Sequence, residues 1–299
     1  MRYDSLFSVV IVTKDRTELL FRAIKSVLNS KLKPLDIVVV NDGGTPPDLT
    51  SIDFYGVRIK LINNPESKGA NFSRNLAIEE SCCDIVFLLD DDDAFSENPF
   101  EKRLTMMTSD ENIGLSYTGA RVVKSNSLEN ISRTIRPKKF KDVFYELLSQ
   151  GNVIGSTSRV AIRKEHFFKA GKFNEDLACL QDYDLWIRLA KISSVYSDEQ
   201  VNTIYTIHDN KNQISSNYKK YLSTGIVIRD SLAQELISLN LFNKFTSSIY
   251  LRASISASSS SYRYQVYYAL LSFIKHPTIK SLIFLGIPGK ILKKVINYV

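Results

Sequence analysis

Four consecutive aspartates, Asp90, Asp91, Asp92 and Asp93, end the apolar run 85–89. Carboxylates crowded at the end of a buried strand cannot all stay ionised unless a cation or a set of amide donors offsets their repulsion. Alternation along an extended segment sends Asp90 and Asp92 to one side and Asp91 and Asp93 to the other, so two carboxylates are expected to converge on one point. Oxygen ligation of this kind suits Mg2+ or Mn2+, which keep positions open for water and substrate phosphates. An acidic helix start is the plainer alternative, because Glu97, Asn98 and Pro99 follow. A second acid, Asp182, begins the helical pattern 181–191, whose Leu185, Trp186, Ile187 and Leu189 are apolar. A carboxylate there can stand at the rim of a cleft as a general base, or simply cap its helix. Asp184 and Arg188, four residues apart, read as a structural pair. His208 leaves the strand-like segment 201–207 as either a metal or diphosphate contact or a plain loop residue.

These residues need a frame. Continuous apolar runs at 7–12, 35–40, 57–62 and 84–89 read as buried strands, and 17–28 and 70–80 carry helical spacing. Pro34 and the turn Asn41-Asp42-Gly43-Gly44 punctuate them. Strands alternating with helices imply an α/β fold, with a mostly parallel sheet covered on both faces. The polar ends at 13–16, 41–42 and 90–93 then share the carboxyl edge, where ligands of open α/β sheets bind. Downstream, 113–123 and 155–162 read as strands, 140–149 and 165–170 as helices, and 125–139 as a polar loop. Beyond Ser216 the chain turns helical, apolar and basic, and only 254–261, rich in serine, is compositionally biased. The expected organisation is a catalytic domain over 1–215 and a helical basic extension over 216–299.

Composition narrows the function classes. The 299 residues are 44% hydrophobic, ample for a core. No apolar run nears the length of a membrane span and no basic-then-apolar leader follows Met1, so neither secretion nor membrane crossing is expected. Cys82, Cys83 and Cys179 have no zinc, redox or disulfide spacing, which fits a reducing cytoplasm. The net charge of +7 lies in the tail: after Glu235 there are eight basic residues and no acid. Such a tail suits nucleic acid or an anionic membrane, and its apolar content favours the membrane over nucleic acid. No glycine-rich phosphate loop of the dinucleotide or P-loop kind is present.

The motifs together resemble the inverting family 2 glycosyltransferases of the GT-A fold, as found in bacterial surface-polysaccharide synthesis. The resemblance runs through residues 8–16, through Val38-Val39-Val40-Asn41-Asp42-Gly43-Gly44, Gly69, Arg74-Asn75 and the four aspartates, to Gln181-Asp182-Tyr183-Asp184-Leu185-Trp186-Ile187-Arg188. It implies transfer of a sugar from a nucleotide diphosphate, a UDP-sugar by preference, with a divalent metal. It assigns Asp42 to the base, Thr13, Asp15 and Arg16 to the nucleotide pocket, and Arg74 to a position beside the nucleotide. Asp90, Asp91 and Asp92 form the ribose and metal motif. Displacing the diphosphate needs positive charge, from a metal held by Asp92, with His208 as a second ligand, and from Arg74 or Lys68. Asp182 is the expected base. Val12, Asn41 and Gln181 stand where the family often has proline, aspartate and glutamate, the first two beside the nucleotide pocket. The expected activity is addition of one sugar to a growing, lipid-linked surface glycan, peripheral on the inner face of the cell membrane. A non-catalytic scaffold that binds a sugar nucleotide or a membrane is the alternative; it would need no joint presence of Asp92 and Asp182.

Overall fold

The computed structural model describes residues 7–125, 127–208, 217–258 and 260–288. The chain divides into two compact units, one of residues 1–144, 152–175 and 182–209, the other of 145–151, 176–181 and 210–299.

The first unit is a mixed α/β sheet with flanking helices. Strands β1 (Phe7–Thr13), β2 (Asp36–Asn41), β3 (Arg58–Asn63) and β4 (Ile85–Asp90) run parallel in the order β3-β2-β1-β4, with α1 (Thr17–Leu28) and α2 (Ala70–Glu80) as crossovers. Every residue of β2 is buried, and so are the first five of β1 and of β4. Such continuous apolar runs are what a sheet covered on both faces requires. Register pairs Thr13 with Asn41 and Val12 with Asp90, so the polar ends of three strands reach one edge.

The sheet then changes character. After β5 (Ala94–Phe95) and α3 (Glu101–Ser109) come β6 (Ile113–Lys124), β7 (Ser127–Ile135), α4 (Val143–Gln150), β8 (Val160–Arg163), α5 (Lys164–Lys169), α6 (Gln181–Ile192) and β9 (Ser194–Ile207). The order continues β4-β8-β6-β9-β5 with β7 beside β6, nine strands among the described residues. β8 pairs antiparallel with both β4 and β6, whereas β6 and β9 are parallel. Two expectations are corrected here. The polar stretch 125–139 is not a loop but carries β7, an edge strand hydrogen-bonded to β6 whose side chains are almost all exposed. The expected strand 155–162 starts instead as a 3₁₀ turn, Thr157–Arg159, because Gly155 holds a left-handed φ of 101° against the Arg159 side chain.

Packing centres on Phe7, Phe87, Phe95 and Phe100, whose ring centroids lie 5.2 Å (Phe7 to Phe87), 4.9 Å (Phe87 to Phe100) and 5.2 Å (Phe95 to Phe100) apart. Over Phe87, at 4.7 Å, lies the buried guanidinium of Arg103. It donates to the carbonyls of Pro99 (2.6 Å) and Arg159 (3.3 Å) and lies 3.6 Å from Asp198, also buried. Burial pulls its pKa down to about 10 against the attraction of Asp198. Removing one member leaves a buried charge uncompensated, so Arg103→Met is expected to lower unfolding stability by about 3–5 kcal/mol. Urea denaturation checks this, and the double variant Arg103→Met/Asp198→Asn is expected to recover part of the loss.

The second unit is helical. Its C-terminal part comprises α7 (Tyr218–Ser231), α8 (Ala233–Ser238), α9 (Phe242–Ala257), α10 (Tyr262–Lys275) and α11 (Ile279–Gly286). Asn217, Ser261 and Thr278 cap α7, α10 and α11 with side-chain oxygens. Among the described residues no helix is long and apolar enough to cross a membrane.

Candidate active site

The four aspartates occupy four different environments. Strand β4 ends at Asp90, and the chain turns at once, with the Asp93 amide donating to the Asp90 carbonyl at 3.1 Å. Strand alternation therefore does not continue through the run, and the expected convergence of Asp90 with Asp92 does not occur. Asp90 accepts from Arg74 Nη2 (2.7 Å) and Thr157 Oγ1 (2.6 Å), while its amide donates to Ser158 Oγ (3.0 Å). Burial opposes its charge, but Arg74 and Thr157 outweigh burial and hold the carboxyl below its usual range. Asp91 and Asp92 instead share Arg16, at 3.3 Å and 2.9 Å. Asp91 is buried and accepts from Thr13 Oγ1 at 2.8 Å, and burial pushes its pKa up to about 6 against Arg16 and Thr13. Asp93 is buried and accepts the Thr206 amide at 2.8 Å. Burial, reinforced by Asp90 and Asp92, raises its pKa well above the ordinary value.

Asp92 has the composition of a metal position. His208 Nε2 lies 3.0 Å from its Oδ2, joining one end of β9 to the turn after β4. A carboxylate oxygen beside an imidazole nitrogen suits Mn2+ or Mg2+ with its other positions left to phosphate and water. Among the described residues no group of three His, Cys, Asp or Glu converges on one point. These two donors therefore fit a metal only as part of a set that a substrate completes. Arg22 ties the same turn down, donating to the Asp92 carbonyl (3.1 Å) and to Thr206 Oγ1 (3.0 Å).

Asp42 is a hub. Its oxygens accept from Ser67 Oγ (2.7 Å), Lys68 N (2.9 Å), Ser73 Oγ (2.9 Å), Gly69 N (3.0 Å) and Asn64 Nδ2 (3.3 Å). Burial resists its charge, yet the donors from Ser67, Lys68, Ser73 and Asn64 together lower its pKa. The carboxylate thus holds the start of α2, and with it Arg74, to the end of β2. Gly43 makes the close approach possible: its φ is 73°, and a Cβ there would lie 2.2 Å from Ser67 N. Asp15, at φ 54°, accepts the Thr45 amide at 2.9 Å and so braces the same turn from the β1 side. Asn41 donates to the Gly44 carbonyl (2.8 Å) and to Asn63 Oδ1 (3.1 Å), two bonds that an aspartate at this position cannot make. Lys68 carries its ammonium over the Phe72 ring at 4.7 Å.

Asp182 lies in the first turn of α6 and caps it, accepting the Tyr183 amide at 2.8 Å. Its other oxygen accepts from Asn152 Nδ2 at 3.1 Å. Burial raises its pKa; Tyr183 and Arg74 pull the other way. Arg74 lies in the fields of both Asp90 and Asp182, its buried Nη1 has no hydrogen-bond partner among the described residues, and Phe173 lies 5.8 Å away. Trp186 is buried and donates to the Gly155 carbonyl at 2.9 Å, so it is core. Arg188 and Asp184 form the expected ion pair.

The sequence reading missed the segment that joins these acids. Asn152 reaches Asp182, Gly155 receives Trp186, and Thr157 and Ser158 hold Asp90. A run of small hydroxyl residues after Gly155 was the one available signal, because buried carboxylates must find donors.

Asp42→Asn exchanges an acceptor for an amide that confronts two of the five donors. We predict a loss of about 2–3 kcal/mol at neutral pH, in line with charge-assisted hydrogen bonds. The folded pKa is lowered, so the wild-type advantage is present above the ordinary carboxyl pKa and fades as pH falls through the folded value. Denaturation from pH 7 to pH 3 is expected to show the gap closing.

The family model described as Glycosyl transferase family 2 matches residues 8–168, more than half of the chain. An uncharacterized glycosyltransferase of Haemophilus influenzae is 25% identical over 213 residues, 71% of each chain. The Escherichia coli UDP-Glc:alpha-D-GlcNAc-diphosphoundecaprenol beta-1,3-glucosyltransferase WfgD is 25% identical over 193 residues, covering 64% of this chain and 72% of WfgD. Other relatives are longer, the match spanning only 33% of one from Rickettsia conorii. Among solved structures, the mannosyltransferase PcManGT of Pyrobaculum calidifontis, in complex with GDP-Man and Mn2+, superposes with a TM-score of 0.59 at 14% identity, over 98% of this chain and 81% of that one. That likeness shows the fold, a mixed α/β sheet of the GT-A kind.

Proposed function

Because the chain belongs to glycosyl transferase family 2, we propose that it moves a sugar from a nucleotide-diphosphate donor to a hydroxyl of a lipid-linked glycan, with inversion at the anomeric carbon. The observation that carries this reading is Arg74. Its guanidinium is fixed by Asp90, feels Asp182, and keeps the buried Nη1 without a partner among the described residues. A cation so placed can meet the charge that a leaving diphosphate gains. Asp182 is the base: it accepts the proton of the acceptor hydroxyl while that oxygen bonds to the anomeric carbon and the bond to the diphosphate oxygen breaks. Burial, which raises the Asp182 pKa, makes it a stronger proton acceptor than a solvated aspartate. The donors from Tyr183 and Asn152 fix the carboxylate without using all its lone pairs.

Asp92 and His208 would hold a divalent ion, which when bound neutralises diphosphate charge. Thr13, Asp15, Arg16, Asp42 and Lys68 would line the nucleotide side; in this scheme Asp42 acts chiefly by holding the loop at 64–69 in place. UDP-sugar is the donor class favoured by the name of WfgD, which also favours a diphospholipid acceptor and a role in surface glycan assembly. The Mn2+ of PcManGT supports metal use. With such an acceptor the enzyme works at the inner face of the cell membrane.

Two variants test the reading. Asp182→Asn keeps shape and loses basicity, so the donor Kd is expected to hold while kcat falls at least about 10²-fold. Asp92→Ala is expected to remain folded and lose metal-stimulated donor binding. Activity is read as release of nucleoside diphosphate from a panel of sugar nucleotides, with a GlcNAc-diphospholipid acceptor. A normal kcat in Asp182→Asn, or sugar-nucleotide binding with no transfer to any acceptor, overturns the proposal.

A further inference from the structure

Helices α7, α8 and α9 bury large apolar residues such as Ile228, Leu236, Phe245 and Ile249, but α10 and α11 expose most of theirs. On α10 the buried side chains are Gln265, Ala269 and Ser272, whereas Tyr267, Leu270 and Ile274 are 53%, 46% and 65% exposed. On α11 the buried pair is Ser281 and Phe284, and Ile279 and Leu282 are 78% and 51% exposed. On these two helices, Phe284 apart, the buried residues are thus small or polar, and large apolar groups face outward.

The interior is held by hydrogen bonds. Ser247 Oγ donates to the Ser272 carbonyl at 2.8 Å and Ser272 Oγ donates back to the Ser247 carbonyl at 2.9 Å, lacing α9 to α10. Ser254 Oγ donates to the Gln265 carbonyl at 2.8 Å. Gln265 Nε2 in turn donates to the carbonyls of Phe284 (2.9 Å) and Ile287 (2.8 Å), satisfying the open end of α11. The serine-rich stretch 254–261 begins at this seam. Helices that meet through small residues and cross-helix hydrogen bonds, with their backbone ends satisfied, are fitted to a surrounding that offers no water.

Charge identifies that surrounding. Arg263, Lys275 and Lys280 flank the exposed apolar residues and no acid follows Glu235. A second copy docked by the same face would set these cations against each other. Anionic phosphates complement them instead. Tyr218, Tyr250, Tyr264, Tyr267 and Tyr268 cluster beside α10 with centroids 5.2–6.5 Å apart, and amphipathic rings of this kind favour the headgroup level. Neither helix can span, α10 having 14 residues and α11 eight.

We propose that α10 and α11 form a lipid-binding face that lies in the headgroup layer of an anionic leaflet. Leu270, Ile274, Ile279 and Leu282 enter the acyl boundary to a depth of about 5–10 Å, and the basic residues meet lipid phosphates. The reading of a lipid-linked acceptor gives this face a purpose, but the face stands on its own packing.

The test uses the full chain and vesicles of phosphatidylcholine, with and without phosphatidylglycerol. Wild type is expected to float with the anionic vesicles. Leu270→Ser/Ile274→Ser/Leu282→Ser is expected to lose flotation, and Lys275→Gln/Lys280→Gln to weaken it roughly 25-fold, from about fivefold per basic residue. Ile274→Trp adds a reporter beside the one native tryptophan, the buried Trp186; its emission is expected to shift to the blue on anionic vesicles. Donor Kd is measured for each variant and is expected to be unchanged, so a failed sugar-transfer reading leaves the lipid result legible. Wild type that stays unbound with every vesicle, variants that float as wild type does, or a dimer dissolved by the triple variant without any vesicle binding each overturn the proposal.

Discussion

Buried carboxylate charge at one sheet edge is the constraint from which the rest of this structure follows. Parallel packing brings the ends of β1, β2 and β4 together, and Asp42, Asp91 and Asp93, delivered there, are buried. Each is answered differently. Arg74 and Thr157 hold the Asp90 pKa down, Arg16 serves Asp91 and Asp92 together, and Asp93 accepts the Thr206 amide while burial raises its pKa. Asp42 gathers five neutral donors instead of a cation. These compensations pull in α1 through Arg16 and Arg22, α2 through Arg74, the 152–158 segment and the end of β9, so the edge organises elements far apart in sequence.

This also explains how one cluster of like charges can serve a reaction. If the edge binds a diphosphate as proposed, Arg16 and Arg74 are the groups that would meet it, and Asp92 with His208 would supply part of a metal site. Arg16 and Arg74 are positioned by the acids before any substrate arrives, which lowers the reorganisation that binding demands. Asp182 lies in the field of Arg74 but makes its hydrogen bonds elsewhere. It is held by a helix amide and an asparagine, and desolvation tunes it toward proton uptake.

Much of this was legible in the sequence, and the limits have physical causes. Apolar runs bounded by Pro34, Gly43 and Gly69 located the parallel strands within a residue or so, and α1 and α2 at their observed ends, because local period and punctuation agree there. Beyond Ile113 the period fails. β7 is polar on both faces because only β6 holds it, and β9 starts at Ser194 through polar residues that no hydrophobic pattern marks. Of the candidate site, the aspartates, Asp182 and His208 stand out by type and context, and Arg74 only through the family resemblance. The projection of Asp90 and Asp92 to one side was misread, since alternation holds only while the strand lasts. Asn152, Thr157, Ser158 and Arg22 were invisible because their partners lie from 30 to 184 residues away.

The central claim is that the acidic edge and its guanidinium partners form a site for a sugar nucleotide that a divalent ion completes. Thermal unfolding of the full chain, followed with Mn2+ alone, with each UDP- and GDP-sugar alone, and with both together, addresses it directly. A ligand that binds only the folded state raises the midpoint by mass action. The account predicts that one sugar nucleotide with Mn2+ raises the midpoint by more than the sum of their separate effects. An unchanged midpoint across all sugar nucleotides, with or without the ion, would contradict it.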